Sequence, residues 1–498
     1  MPSNPRLLLT AVALLMLLSA PAGAWMEEIL QPSAPVMNAP LVVDEPPAGE
    51  VMELTLAEAV AMGLRGNRTI RSAYLQRISQ RFDLKVAEEQ FDPQFNVQGR
   101  YLATQRDDGS EQLGEVSPTV SIEGPLGTNF SLSWTEAVNR NDETGSRHSR
   151  GATFEVIQPL LRDAGKDVAT APLRLARLSE QINQLELQSM VSQVVTQIVL
   201  TYRELLRAQE QVRIAEEGLA RSRQLAVVNE ALIAAGRMAE FDILQIQAGM
   251  ASRELEVEEA INQREARRLE LLHLLALDIA TPLQASDPLA ARQVSLNAEE
   301  ARHIAKMYQP EYLTQLIVQE QVEIHAAVAH NQRLWDLSLV GGASQLQNRF
   351  GSSEHVNDRH WDAYAGVRVE IPIGNAGQRR DEVRARVNVY DQALRLAETE
   401  QTLERDIDDA VRSLEAQWRQ YQLAQRATEF SHQALELERE KLSAGRSSNF
   451  QVLSQETELR NAQHARLNAL IAYLNAQTQL DLRLGMTLES WDIALNDD

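Results

Sequence analysis

Apolar and polar residues follow two periods along the chain. Phe95, Val97, Gly99 and Tyr101 alternate with Gln94, Asn96, Gln98 and Arg100. Phe130, Leu132 and Trp134 alternate with Asn129, Ser131, Ser133 and Thr135, and Val367, Val369 and Ile371 with Arg368 and Glu370. Period two predicts strands with one apolar and one polar face in the regions 93–160 and 335–372. A barrel wall between lipid and water has this pattern, and so does a half-buried soluble sheet. Over 167–234 and 378–443 the spacing changes to threes and fours: Leu175, Leu178, Ile182 and Leu185, then, after a phase slip, Val191, Val194 and Ile198. That predicts two long helices with a coiled-coil-like seam and a stutter. About 67 residues at 1.5 Å each make a rod of roughly 100 Å. Returning helices are expected at 240–277 and 448–485, after glycine turns, and shorter ones near 55–65, 69–90 and 311–330. Stacked end to end, a short and a returning helix nearly match the long one. The expected object is a rod two helices wide, with strands at one end and turns at the other.

The whole order occurs twice. Ala235-Gly236-Arg237, with Phe241 and Leu244 after it, returns as Ala444-Gly445-Arg446, with Phe450 and Leu453. Gln158-Pro159-Leu160-Leu161 with Ala164-Gly165 is echoed by Ile371-Pro372-Ile373 with Ala376-Gly377. The first copy is expected over 54–288 and the second over 289–498, joined near Thr281-Pro282 and Asp287-Pro288. The first strand region is about thirty residues longer than the second. The excess reads as an added hairpin, Thr119 to Thr135 around Gly124-Pro125-Leu126-Gly127, an elaboration beside the barrel, with extra wall strands as the alternative.

Ahead of the first copy, Arg6, the apolar run Leu7–Leu18 and Ala22-Gly23-Ala24 read as a signal peptide, 1–24. That run is too short to span a bilayer as a helix. Residues 25–53, with Pro32, Pro35, Pro40, Pro46 and Pro47, read as an extended tether. With 48 Lys and Arg against 70 Asp and Glu, the net charge of −22 argues against nucleic acid as a partner. Cysteine is absent, which removes disulfides, thiol catalysis and cysteine-ligated metal. No catalytic pattern emerges. Gly165-Lys166 lacks the upstream glycine of a phosphate loop, no HExxH occurs, and His325 and His330 stand five apart. Neither an enzyme nor a cofactor or metal site is expected.

The chain resembles the outer-membrane efflux proteins, the TolC-like family. The resemblance rests on Leu56-Ala57-Glu58-Ala59 with Asn67, Phe91-Asp92-Pro93, Gln158-Pro159-Leu160-Leu161 and Ala235-Gly236-Arg237 in the first copy. In the second it rests on Gln309-Pro310-Glu311, Pro372-Ile373-Gly374-Asn375-Ala376-Gly377, Ala444-Gly445-Arg446 and Leu484-Gly485. Arg68 and Trp335 stand where the family usually has proline. The resemblance implies a mainly α protein with a membrane β-barrel part: duplicated long-helix hairpins forming an α-helical barrel, and four strands per chain contributing to a trimeric 12-stranded outer-membrane barrel. It implies a homotrimer in outer-membrane lipid of a Gram-negative cell, reaching into the periplasm to a periplasmic adaptor and an inner-membrane pump or ATP-driven exporter. The alternative is a soluble periplasmic coiled-coil adaptor or spacer, which normally has one hairpin rather than two.

The turns Gly236-Arg237 and Gly445-Arg446, with Phe241 and Phe450, are the expected docking surface for the adaptor. Leu244 and Leu453 are expected in the core. In the best-known family member, aspartates after the second-copy turn narrow the pore; here those positions hold Gln451 and Ser454. The first copy keeps Glu240 and Asp242, candidates for a gate ring. The competing role is plain stabilisation of a helix N-terminus by negative charge.

Overall fold

The structure, a computed structural model, describes residues 36–37, 51–106, 109–141, 145–234, 242–350 and 357–495. They divide into two compact units. One takes the described residues up to Ile78 with Leu185–Leu313 and Thr399–Asp498; the other takes Ser79–Gln184 and Thr314–Glu398.

In the first unit, β1 (Val36–Met37) pairs antiparallel with β10 (Ile493–Ala494), and β2 (Met52–Leu54) runs parallel to β7 (Leu283–Ala285). Thr55 opens α1 (Leu56–Gly66) through a reciprocal capping box with Glu58. Asn67 then closes α1 and starts α2 (Arg68–Glu88): its Oδ1 accepts from the Thr69 and Ile70 amides at 2.8 and 3.2 Å. Its Nδ2 donates to the Leu274 carbonyl at 2.8 Å, tying this junction to α4 (Asp242–Leu275). The second copy repeats the device. Gln309 separates α5 (Ala298–Tyr308) from α6 (Pro310–Asn331), and its Oε1 accepts from the Tyr312 amide. The first copy has Arg68 where the second has Pro310, and in both copies the side chain before that position bonds first-turn amides of the new helix.

The long helices are α3 (Ala171–Ala234) and α7 (Ala376–Ser443); α8 (Asn449–Leu484) follows α7. The α3 stripe Val191, Val195, Ile198, Tyr202 and Leu205 is buried against α1, the start of α2 and the end of α4. Ala301 and Ala305 of α5 are buried with Ile407 and Leu414 of α7 and Tyr473 and Leu480 of α8. Each stripe recurs at threes and fours, which keeps it on one helical face.

The join between the copies is pinned by two buried tyrosines. Tyr202 donates its hydroxyl proton toward the Leu54 carbonyl (2.8 Å) or the Asp287 carboxylate (2.6 Å), both within reach. That carboxylate also accepts from the Leu56 amide. The Tyr473 hydroxyl donates to the Arg292 carbonyl and accepts from the Val294 amide, both at 2.9 Å.

The second unit carries an antiparallel sheet: β3 (Gln94–Arg106), β4 (Gly109–Glu123), β5 (Asn129–Asn141), β6 (Gly145–Pro159), β8 (Asp336–Phe350) and β9 (Asn357–Glu370), hydrogen-bonded in that order. The region 93–160 therefore holds four strands. The sheet has six strands per chain, where the resemblance implies four. The added hairpin is β4 and β5, longer than the 119–135 expected, and it lies inside the sheet. Its turn is fixed by the Gly124 amide donating to the Thr128 carbonyl, by the Gly127 amide donating to the Gly124 carbonyl, and by Gly127 itself, whose φ of 85° suits glycine. In the same unit, Ala171 and Leu178 of α3 pack on Ile324 of α6.

Candidate functional site

Two regions carry the functional reading: the sheet and the hairpin turns. The sheet's register sorts its residues into two faces. Phe95 pairs with Val120, Val120 with Leu132, Leu132 with Phe154, Phe154 with Ala343, and Ala343 with Ala363. That row is apolar across all six strands. One residue along, Asn96 pairs with Thr119, Thr119 with Ser133, Ser133 with Thr153, Thr153 with Ser344, and Ser344 with Asp362. Period two makes these rows point to opposite faces. The apolar face is bare: Phe95, Leu132, Trp134, Phe154, Trp361 and Val367 are all exposed. Contiguous exposed apolar surface of this extent marks contact with lipid or a partner. The other face satisfies its polar groups across strands. Arg100 donates to Glu115 at 3.0 Å, the Tyr364 hydroxyl to Glu155 at 3.0 Å, and Ser117 to Thr135 at 3.1 Å.

Among the proposed docking residues, Gly445, Arg446 and Phe450 are described. Gly445 has φ 72°, its amide donates to the Leu442 carbonyl, and the Arg446 amide donates to the Lys441 carbonyl. This paired closure ends a helix in a left-handed residue and satisfies its last carbonyls. Ser448 then caps α8, accepting from the Gln451 amide at 3.4 Å. Ser447 hydrogen-bonds Glu438, and with Lys441 it draws the Glu438 carboxyl below its usual range. Arg446 and Phe450 are exposed. Leu453 packs on Leu225, Leu435, Leu442 and Val452, as expected of a core residue. Leu244 does not: it is 66% exposed, on a face of α4 that no described element covers. Gly236, Arg237, Glu240 and Phe241 lie outside the described residues. Asp242 is the first residue of α4.

Sequence periodicity did not single out the buried charges. Glu382, almost fully buried, accepts from His330 at 2.9 Å, from Arg386 at 2.7 Å and from Arg333. These donors, His330 first, hold its carboxyl down to about 2. In the first unit, Arg203 donates to Thr478 at 2.8 Å and to the Leu474 carbonyl, and burial lowers its guanidinium to about 10. Burial pushes Asp481 up to about 6, with the Arg203 charge opposing the shift. Tyr202 did leave a trace, since it continues the Val191–Ile198 stripe. Asp287 left none.

Among the described residues no group of histidine and carboxylates is placed to hold a metal ion, and no helix is long and apolar enough to cross a membrane.

Residues 319–486 match the outer membrane efflux protein family model, and that family consists of transport channels, not enzymes. No curated protein matches the chain. Among solved structures, the outer membrane protein VceC from Vibrio cholerae is similar at 15% identity and a TM-score of 0.66, covering 86% of this chain and 96% of its own. The CmeC outer membrane channel of Campylobacter jejuni is similar at 16% identity and 0.65, covering 91% and 94%. The open-state MtrE outer membrane channel of Neisseria gonorrhoeae is similar at 16% identity and 0.65, covering 92% and 98%. The family resemblance seen in the sequence thus holds: residues 319–486 carry the sequence of the outer membrane efflux proteins, and the chain carries the fold of their channels.

Proposed function

We propose that three copies of the chain close a barrel across the outer membrane and continue as a helical duct into the periplasm. The duct is a passive exit route for substrates delivered by a periplasmic adaptor and an inner-membrane pump or ATP-driven exporter. The carrying observation is the sheet, with one face bare and apolar, one polar, and an outer edge of β3 and of β9 unpaired among the described residues. Open edges are not tolerated in hydrocarbon. Six strands are too few to enclose an aqueous channel, since even the smallest barrels need about eight. Several copies must therefore share one wall, and the resemblance gives three. Energy comes from the inner-membrane partner. The exposed turn Gly445-Arg446 with Phe450, and its counterpart Gly236-Arg237 with Phe241, form the surface that meets the adaptor; Glu240 and Asp242 are the gate carboxylates.

The native mass of the detergent-solubilised, folded protein tests this directly: a trimer is expected, and a monomer overturns it. Carbonate extraction tests the alternative of a soluble periplasmic adaptor. A barrel stays in the outer-membrane fraction through the wash, whereas an adaptor leaves it.

A further inference from the structure

Resting on the trimeric wall just proposed, we infer that the added hairpin β4–β5 is part of that wall, so that three copies close a barrel of 18 strands, 3 × 6, rather than 12. Three observations lead there.

The hairpin sits within the sheet, since the only path from β3 to β6 runs through β4 and β5. Its pairing is continuous on both sides, from Gln94↔Ser121 to Arg106↔Gly109 and from Asn129↔Ile157 to Asn141↔Gly145. A hairpin lying beside the wall would leave β3 and β6 paired directly.

Its faces are in phase with the rest. Val120 and Leu132 fall on the apolar face, Thr119 and Ser133 on the polar one. A hairpin in water has no need of the first pair, and one plugging the lumen would reverse the two.

The apolar band also ends level on the hairpin's second strand and on the strands after it. Trp134 on β5 pairs with Ala152, Ala152 with Gln345, and Gln345 with Trp361. The next row outward on that face is polar on all four strands: Glu136 pairs with Arg150, Arg150 with Gln347, and Gln347 with Arg359. Six antiparallel strands also leave β3 and β9 running in opposite directions, so each seam between copies is antiparallel as well.

Barrel diameter grows nearly linearly with strand number, so this wall is about 1.5 times wider than one of 12 strands, with roughly twice the cross-section. The lumen at the sheet then admits solutes that a narrower wall would exclude, and size selection falls to the helical hairpins.

Because the chain has no cysteine, single-cysteine trimers carrying a fluorophore and reconstituted with lipids quenching at mid-chain give a clean test. Val367→Cys on β9 reports the wall itself, Leu132→Cys the hairpin's apolar face, and Ser133→Cys its polar face. The expected result is quenching at 367 and 132, with 133 unquenched and open to a water-soluble thiol reagent. Quenching at 367 without quenching at 132 overturns the inference and leaves the barrel standing. No quenching at either overturns both. Electron cryo-microscopy of the unmodified trimer in lipid gives an independent count, in which 12 wall strands would refute the inference even if a variant failed to fold.

Discussion

Gly445 adopts a left-handed backbone and leaves Arg446 exposed beside it, with no ion pair among the described residues. An exposed charge contributes little to folding, so a change there reads out on docking. Arg446→Glu, and Gly236→Pro in the first-copy turn, are expected to abolish export while trimers remain in the membrane. Survival on a pump substrate, followed with trimer content, checks this, and normal export by both variants would contradict it. At the gate, Asp242→Ala is expected to raise single-channel conductance and weaken cation selectivity, because three like charges around a narrow pore attract cations. Unchanged values would leave Asp242 only its place at the start of α4. Asp481 is a residue of another kind. Its folded-state pKa of about 6 lies above the ordinary carboxylate value, so burial of the neutral form stabilises the fold below about pH 4, and that contribution is lost as pH rises through 6. Denaturation midpoints of Asp481→Asn and the parent should diverge across that window in the variant's favour. The difference should approach about 1.4 kcal/mol per pH unit and level off above pH 6.

At the level of elements, most of the fold was legible. Helices written with a spacing of threes and fours emerged within a few residues of their expected ends, because proline, Asn67 and, in the second copy, Gly445 fix those ends locally. Alternation located the strands but not their number. The stretch 107–118 alternates less cleanly, with Gly114 and Pro118 on the apolar face, and only the ladder to β3 shows that β4 starts at Gly109. Side-chain burial on the α4 face bearing Leu244 was not legible, since one helix pattern does not say which neighbours cover it. The electrostatic contacts at Glu382, Asp287 and Asp481 lie between residues distant in sequence, and no local pattern announces such pairs. The terminal Leu484-Gly485 shows an element end under tight constraint. Gly485 has φ 77°, and an added Cβ would collide with the Tyr308 carbonyl. Gly485→Ala is expected to cost at least about 1–2 kcal/mol from the left-handed backbone alone. A lowered thermal midpoint of the detergent-solubilised protein checks it.

For the whole molecule, the seam between copies in the proposed trimer joins two different edges, β9 of one to β3 of the next. Such a head-to-tail contact closes a ring only when every member offers both edges. This has a genetic consequence. A chain whose β9 edge is blocked, by a proline or by charges facing the seam, still offers β3 and so still enters assembly, where it leaves the ring open. Expressed in equal amount with the normal chain, it would leave about one ring in eight free of the defect. The mutation is therefore expected to be dominant, with cells carrying both alleles nearly as impaired in export as cells carrying the blocked chain alone. A β9-edge mutation that proved recessive in merodiploid cells would mean that copies do not join through these edges.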